Sequence, residues 1–214
     1  DAADFLADAR ISLNEGLEDP VANLAKLSQA FAKKTEQAAK LLEGKDYEVS
    51  GVGERKGVLY SEIWNGIGGS TVQDLLNHPK FKEGNPDSTA YLPGAESPMD
   101  IGENFGRRIF GKLVPPESGE YHFWVYSDDE CVVRINVSGE NPENAREILR
   151  RATFGTKAWS EKNRSRPVTL SQGKRYYFEI LHKEGSGSDF CAVGWTLPSG
   201  RLERPIPGKH FRAP

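Results

Sequence analysis

Short runs of β-branched and aromatic residues, separated by clusters of Gly, Pro, Asn and Ser, fill the chain from Gly57 onward. Many short strands with clear turn signals are typical of an antiparallel β-sandwich, so we expect a mainly β fold. We predict strands at 57–64, 105–114, 119–127, 131–137, 167–170, 174–184 and 190–197. Between them we predict short helices at 70–77 and 144–152 and a long ordered loop at 82–103.

The first part of the chain has a helical pattern instead. Apolar residues recur at helical spacing in two stretches, and Asp19-Pro20 supplies an N-cap with proline at the first helical position of the second stretch. We therefore expect an N-terminal α-helical hairpin over 1–49 and a β domain over 50–214. The hairpin would pack on the β domain or on a neighbouring domain, or form the base of a surface appendage.

Composition excludes some classes of partner. The 31 acidic and 28 basic residues are mixed along the sequence, so the chain has no basic stripe for nucleic acid. No apolar run approaches the roughly 20 residues that span a bilayer. The sequence begins at Asp1 without a signal segment, and we expect a mature or excised fragment of a secreted or cell-surface protein.

Two acidic loops follow predicted strands. The run Tyr126-Ser127-Asp128-Asp129-Glu130 ends the apolar strand 119–127, and the loop 182–189 carries Glu184, Ser186 and Asp189. Carboxylate and hydroxyl oxygens are the ligands that a hard cation requires. Because successive side chains of a strand point to opposite faces, Asp128 and Asp129 can bind one ion only where the backbone between them bends.

Each of the two cysteines follows one acidic loop. Cys131 and Cys191 start apolar alternations, which would place both thiols in one core. A disulfide would fit a secreted protein, and two buried thiols acting as small hydrophobic side chains fit the pattern equally well. The sequence leaves both alternatives open.

The β region resembles the PA-fourteen (PA14) domain, a β-sandwich module found in lectins, adhesins and glycosidases. The segments that carry the resemblance are 57–64 (GVLYSEIW), 104–111 (NFGRRIFG), 115–129 (PPESGEYHFWVYSDD), 173–185 (GKRYYFEILHKEG) and 192–200 (AVGWTLPSG). Their order and spacing fit the family pattern across 57–211. The resemblance does not include the N-terminal 45 residues.

The resemblance implies a calcium-dependent carbohydrate-binding function. In sugar-binding members, paired aspartates joined by a cis peptide hold one calcium ion, which also binds two vicinal sugar hydroxyls; Asp128 and Asp129 match that pair. The second calcium loop falls on 184–189, where we expect Asp189 and Glu184 as ligands, with Ser186 or a backbone carbonyl completing the shell. The segment 131–136 departs from the family pattern, which leaves the identity of the sugar open.

Other residues have competing interpretations. Trp159 either stacks on a sugar ring or anchors a long loop to the sandwich. His182 has no second histidine at ligand spacing and is expected to orient the loop rather than bind zinc. Trp64, Trp124 and Trp195 lie in strand patterns and are expected in the core.

We expect no enzyme activity, because neighbouring carboxylates converge on one point instead of flanking a glycosidic bond. The expected partners are glycans with vicinal hydroxyls, and neighbouring domains of a larger surface protein. The alternatives are a non-lectin interaction module, or an accessory domain of a larger secreted hydrolase.

Overall fold

The computed structural model describes residues 54–152 and 157–214, which form two antiparallel sheets packed face to face. In this part of the chain the larger sheet has eight strands: β1 (Arg55–Lys56), β2 (Leu59–Asn65), β3 (Ser88–Leu92), β4 (Phe105–Leu113), β6 (Glu130–Ile135), β7 (Arg146–Ala152), β9 (Tyr176–Glu184) and β12 (Phe211–Ala213). The smaller sheet has four: β5 (Gly119–Asp128), β8 (Val168–Leu170), β10 (Phe190–Thr196) and β11 (Leu202–Glu203). Two short helices, α1 (Val72–Asn77) and α2 (Pro79–Lys82), follow β2, and short 3-10 turns occur at Pro142–Asn144, Glu161–Asn163 and Gly208–His210.

All seven predicted strands are confirmed within two residues at each end. The predicted helix at 70–77 is also confirmed as α1, where Thr71 and Asp74 form a capping box. The predicted helix at 144–152 is wrong, because that segment is strand β7, paired with β6 along its length. Pairing outweighs the helix propensity of its Glu, Leu and Arg residues. The predicted loop at 82–103 is wrong at 88–92, which pairs with β2 as β3.

The predicted N-terminal hairpin over 1–49 lies outside the described residues. The domain division at 49/50 therefore stays a prediction. No helix of the described residues is long and apolar enough to cross a membrane.

The main core lies between the two sheets. Strand alternation supplies it: Tyr121, Phe123 and Val125 of β5 face inward against Phe178 of β9, and Trp195 packs on Tyr121 with 4.9 Å between ring centroids. Trp64 lies in a separate small cluster beneath α1 and α2. All three tryptophans expected in the core are buried, although Trp124 faces outward from the smaller sheet and other side chains cover it.

Cys131 and Cys191 both lie in the main core, as the alternation predicted. They are free thiols in hydrogen-bonding contact, and burial raises the pKa of Cys131 well above its ordinary value. The structure therefore agrees with the alternative of two buried thiols.

Strand order brings the two acidic loops to one end of the sandwich. Strand β5 ends at Asp128, whose partner in β10 is Phe190, the residue after Asp189. Strand β9 ends at Glu184, and its Lys183 is paired with Glu130 at the start of β6. Because β5 passes directly into β6, Asp129 lies where the chain changes from the smaller to the larger sheet.

Candidate functional site

Asp129 and Glu184 are in direct contact across the site. The backbone N–H of Asp129 donates to Glu184 Oε2 at 3.0 Å, and the N–H of Gly185 donates to Asp129 Oδ2 at 2.9 Å. These reciprocal bonds join the β5–β6 connection to the end of β9, although 55 and 56 positions separate the partners in sequence.

The peptide bond between Asp128 and Asp129 is cis, as the resemblance implied. His182 lies beneath it, and its Nε2 lies 2.8 Å from the carbonyl oxygen of Asp128. Burial, together with the nearby charges of Arg107 and Lys183, lowers the pKa of His182 to about 3, so the ring is neutral and donates from Nε2. His182 therefore orients the loop, as the sequence predicted.

Asp189 organises a further segment, residues 98–104. Its Oδ2 accepts from the N–H groups of Ile101 at 2.5 Å and Gly102 at 3.2 Å, and its carbonyl accepts from Asp100 at 3.0 Å. The N–H of Asn104 also donates to the Gly185 carbonyl at 2.8 Å. Asp189 thus holds the segment against the second acidic loop.

Two carboxylate oxygens of the site, Glu184 Oε1 and Asp189 Oδ1, are buried without a hydrogen-bond partner among the described residues. Burial raises the pKa of Glu184 to about 7, and the nearby charge of Asp129 adds to the shift. Burial also raises the pKa of Asp189. An acceptor without a partner in a dry environment costs free energy, and a bound cation would relieve that cost.

Two buried basic side chains, Lys183 and Arg107, lie close to these acids. The Lys183 ammonium donates to the Gly69 carbonyl at 2.6 Å and to the Glu184 carbonyl, and burial lowers its pKa. Arg107 is also fully buried, its pKa is lowered by burial, and its charge acts on Asp189. These groups offset part of the negative charge of the four carboxylates.

Gly185 allows three segments to approach closely. A Cβ at this position would lie 3.1 Å from Asp129 Oδ2, 3.1 Å from the Gly69 carbonyl oxygen and 3.5 Å from Ser70 Cβ. The loop before α1, which contains Gly69 and Ser70, therefore forms a third wall of the site, that is, a third segment that lines it. Sequence analysis did not identify this wall.

The remaining predicted site residues lie at the edge of the cluster. Ser186 is exposed at the tip of the second loop, next to Gly187, which has φ of +113°. Trp159 is half-buried and packs on Tyr126 of β5, with 4.6 Å between ring centroids. Tyr126 precedes Asp128 by two residues on the same face of the strand.

Sequence analysis missed three supporting groups: Lys183, Arg107 and the amides of Ile101 and Gly102. A signal for the first two was present, since a charged residue in the middle of a strand pattern is rarely buried without a role. The amides carried no side-chain signal.

The described residues contain no group of three or more His, Cys, Asp or Glu side chains already arranged as a metal cage. The cluster nevertheless has the oxygen ligands that a hard cation prefers, and two of these oxygens have no other partner within the described ranges. Asp128, Asp129 and Asp189 all act electrostatically on Glu184, and Ser186 lies on the loop that joins Glu184 to Asp189.

The comparisons with known proteins agree with this fold. The family model described as the PA14 domain matches residues 56–209. Fibrocystin-L of Mus musculus is 30% identical over 138 residues, which is 62% of this chain and 3% of that protein. N-acetyl-beta-glucosaminyl-glycoprotein 4-beta-N-acetylgalactosaminyltransferase 1 of Mus musculus is 34% identical over 112 residues, which is 47% of this chain and 11% of the relative. The chain thus corresponds to a small part of these relatives.

Among solved structures, the chain is similar to the Epithelial Adhesin 9 A domain from Candida glabrata in complex with Galb1-4GlcNAc. The TM-score is 0.53 with 12% sequence identity, over 75% of this chain and 90% of the adhesin domain. At this identity the likeness shows the common fold.

Proposed function

Because the chain belongs to the PA14 domain family, we propose that it is a calcium-dependent carbohydrate-binding module at an extracellular surface. The observation that carries the proposal is the direct contact of Asp129 with Glu184, on which Asp189 acts electrostatically, together with two buried carboxylate oxygens that have no partner among the described residues. A solved domain of the same fold binds a disaccharide, which supports a sugar as the ligand.

In this proposal the carboxylates of Asp128, Asp129, Glu184 and Asp189 hold the calcium ion, and Ser186 completes the shell. The bound ion supplies open coordination positions for two vicinal hydroxyls of a glycan. His182 and Lys183 fix the backbone on both sides of these carboxylates. Selectivity follows from the requirement that both hydroxyls reach one ion, and only some diol geometries permit this.

Trp159 provides a second contact in the proposal. Its indole packs on Tyr126, beside Asp128, and a half-buried indole offers an apolar face to a sugar ring. Affinity for one sugar is expected to be about millimolar, or about −4 kcal/mol. Display of several copies would then raise the avidity without any new contact.

We propose that the module recognises its ligand without transforming it. In this proposal the acids of both loops bind one ion, whereas a glycosidase needs two carboxyl groups about 5–9.5 Å apart across the scissile bond. The relatives are much longer than the matched segment, and one of them is named as a transferase. An accessory binding domain within a longer protein is therefore the second candidate function, and it is compatible with the first.

A glycan array read with millimolar calcium and with chelator tests the proposal. We expect binding to galactose-terminated glycans that chelator abolishes. Asp129→Asn removes one carboxylate and should reduce binding in calcium to the level seen in chelator. Glu143→Gln removes one exposed negative charge far from the site and should bind as the wild type does. Binding that survives chelator would contradict the proposal.

A further inference from the structure

The outer face of the smaller sheet continues the candidate sugar site away from Asp128. Strand alternation places Asp128, Tyr126 and Trp124 on this face, and Phe190 is paired with Asp128 across the sheet. Strands rise about 3.3 Å per residue, so Trp124 lies roughly 13 Å along the sheet from Asp128. The surface is therefore longer than one sugar unit.

Three cationic side chains lie over this aromatic row, and one of them, Arg164 at 5.5 Å from the Trp124 ring, is paired with Glu161. The Lys157 ammonium lies 4.8 Å from the centroid of the Phe190 ring and donates to Met99 Sδ at 2.9 Å. The Arg204 guanidinium lies 3.8 Å from the Trp124 ring and 5.9 Å from the Trp159 ring. Lys157 thus lies above the cross-strand neighbour of Asp128, and Arg204 lies at the far end of the row.

Among residues 54–152 and 157–214, no ion pair includes Lys157 or Arg204. Glu161, which acts on Arg204 electrostatically, is paired with Arg164 at 3.0 Å. Glu96 accepts from Tyr126 Oη at 3.2 Å. Arg204 Nε is buried and has no hydrogen-bond partner among the described groups. A negatively charged acceptor would pair with either cation, and charge-assisted hydrogen bonds are the stronger kind.

We propose that Lys157 and Arg204 form an anion-selective extension of the sugar site, which favours glycans with a carboxylate or sulfate on the unit after the diol-bearing sugar. This inference rests on the proposed function, because the diol-bearing unit must be held near Asp128. The partly exposed rings of Tyr126 and Trp159 contact the sugar faces. Lys157 and Arg204 cover the buried rings of Phe190 and Trp124, and one of these two cations contacts the anionic substituent, according to its position on the sugar. A neutral glycan contacts the surface near Asp128 but gains nothing from the two cations.

The experiment compares three ligands in calcium by calorimetry. They are N-acetyllactosamine, the same disaccharide sulfated on its N-acetylglucosamine unit, and galactose linked to glucuronic acid. The last two leave the terminal galactose diol free. We expect the acidic ligands to bind about tenfold more tightly than the neutral one, and the advantage to shrink in high salt because salt screens exposed charges.

Variants test the two residues. Lys157→Gln and Arg204→Gln should each reduce the ratio of acidic to neutral affinity, and the double variant should bring it to about one. Arg204→Lys keeps the charge and covers the case in which the glutamine variant misfolds. The matched control is Lys174→Gln, because Lys174 also lies over an aromatic ring, Tyr176, but at the opposite end of β9.

The outcomes separate the two proposals. Equal, chelator-sensitive binding of neutral and acidic ligands would overturn the anion-selective extension alone. A preference that persists in the double variant would also overturn it. Absence of chelator-sensitive binding to all three ligands would overturn the proposed function, and the extension with it.

Discussion

Asp129 and Glu184 hold each other in place, through the bond from the Asp129 N–H to Glu184 Oε2 at 3.0 Å. This leaves Glu184 Oε1 buried without a hydrogen-bond partner among the described residues. The same carboxylate that fixes the Asp128–Asp129 connection therefore has one oxygen available for a cation. We therefore expect folding and cation binding to be coupled at this pair.

Calcium is expected to stabilise the domain. An ion that binds only the folded state adds RT ln(1 + [L]/Kd), about 2.7 kcal/mol at 100 times Kd. Thermal melts with calcium and with chelator should therefore differ by several degrees. The difference should vanish in Asp129→Asn and persist in the charge control Glu143→Gln. Identical melts for the wild type would show that the loops are only structural.

Stability in chelator is expected to depend on pH through Glu184. Because its folded-state pKa of about 7 lies above the ordinary 4.5, the folded protein binds more protons than the unfolded chain between these values. The free energy of unfolding should then fall as the pH rises through this window. In Glu184→Gln the free energy of unfolding, measured by thermal melts, should fall less steeply with pH. The remaining dependence should come from Asp189, whose pKa is also raised. An unchanged slope would contradict the assignment.

Asp189→Asn separates charge from hydrogen bonding. Asparagine keeps one oxygen to accept from Ile101 and Gly102, so the far-ultraviolet circular dichroism should match that of the wild type. Calcium and glycan affinity should fall together, because a charged ligand is lost. Asp189→Ala should also lower the free energy of unfolding by about 1–3 kcal/mol, since two amides lose their acceptor. Glycan binding that survives both changes would place the sugar elsewhere.

Gly185→Ala is expected to damage the site by crowding. The added Cβ would lie 3.1 Å from Asp129 Oδ2 and from the Gly69 carbonyl, so the carboxylate or the loop must move. Calcium affinity, measured by calorimetry, should fall several-fold. Gly68→Ala is the matched control, because a Cβ added there would have no described atom within 4 Å and the φ of Gly68 is not positive. Equal affinities in the two variants would contradict close packing at Gly185.

Trp159→Ala distinguishes a sugar contact from a loop anchor. If the indole stacks on the sugar, glycan affinity should fall by about tenfold, while the calcium-dependent shift in melting temperature stays. Trp159→Phe should recover part of the glycan affinity, because it restores an aromatic face. A lower melting temperature with unchanged glycan affinity would assign Trp159 to anchoring the loop.

Much of the fold could be predicted from local patterns. Alternation and turn residues identified seven strands, because these signals act over a few residues, and the short helix predicted at 70–77 is α1, which Thr71 and Asp74 cap. Strand β7 could not be recognised, since its Glu, Leu and Arg residues favour a helix until β6 offers a pairing edge. The short strands β1 and β12 likewise exist only because each pairs with a distant segment.

The sequence by itself determined which oxygen-bearing side chains the two loops offer, those of Asp128, Asp129, Glu184 and Asp189, and from them it predicted a cation site. Only the tertiary structure decided which oxygens of Glu184 and Asp189 accept hydrogen bonds and which have no partner among the described residues. The reason is that the partners are backbone amides of distant segments, and that burial depends on the packing of the whole domain. The amides of Ile101 and Gly102 and the ammonium of Lys183 reach the loops through strand order, which local patterns do not encode. The packing of loop residues on the smaller sheet likewise placed Lys157 and Arg204 along one aromatic row with Asp128.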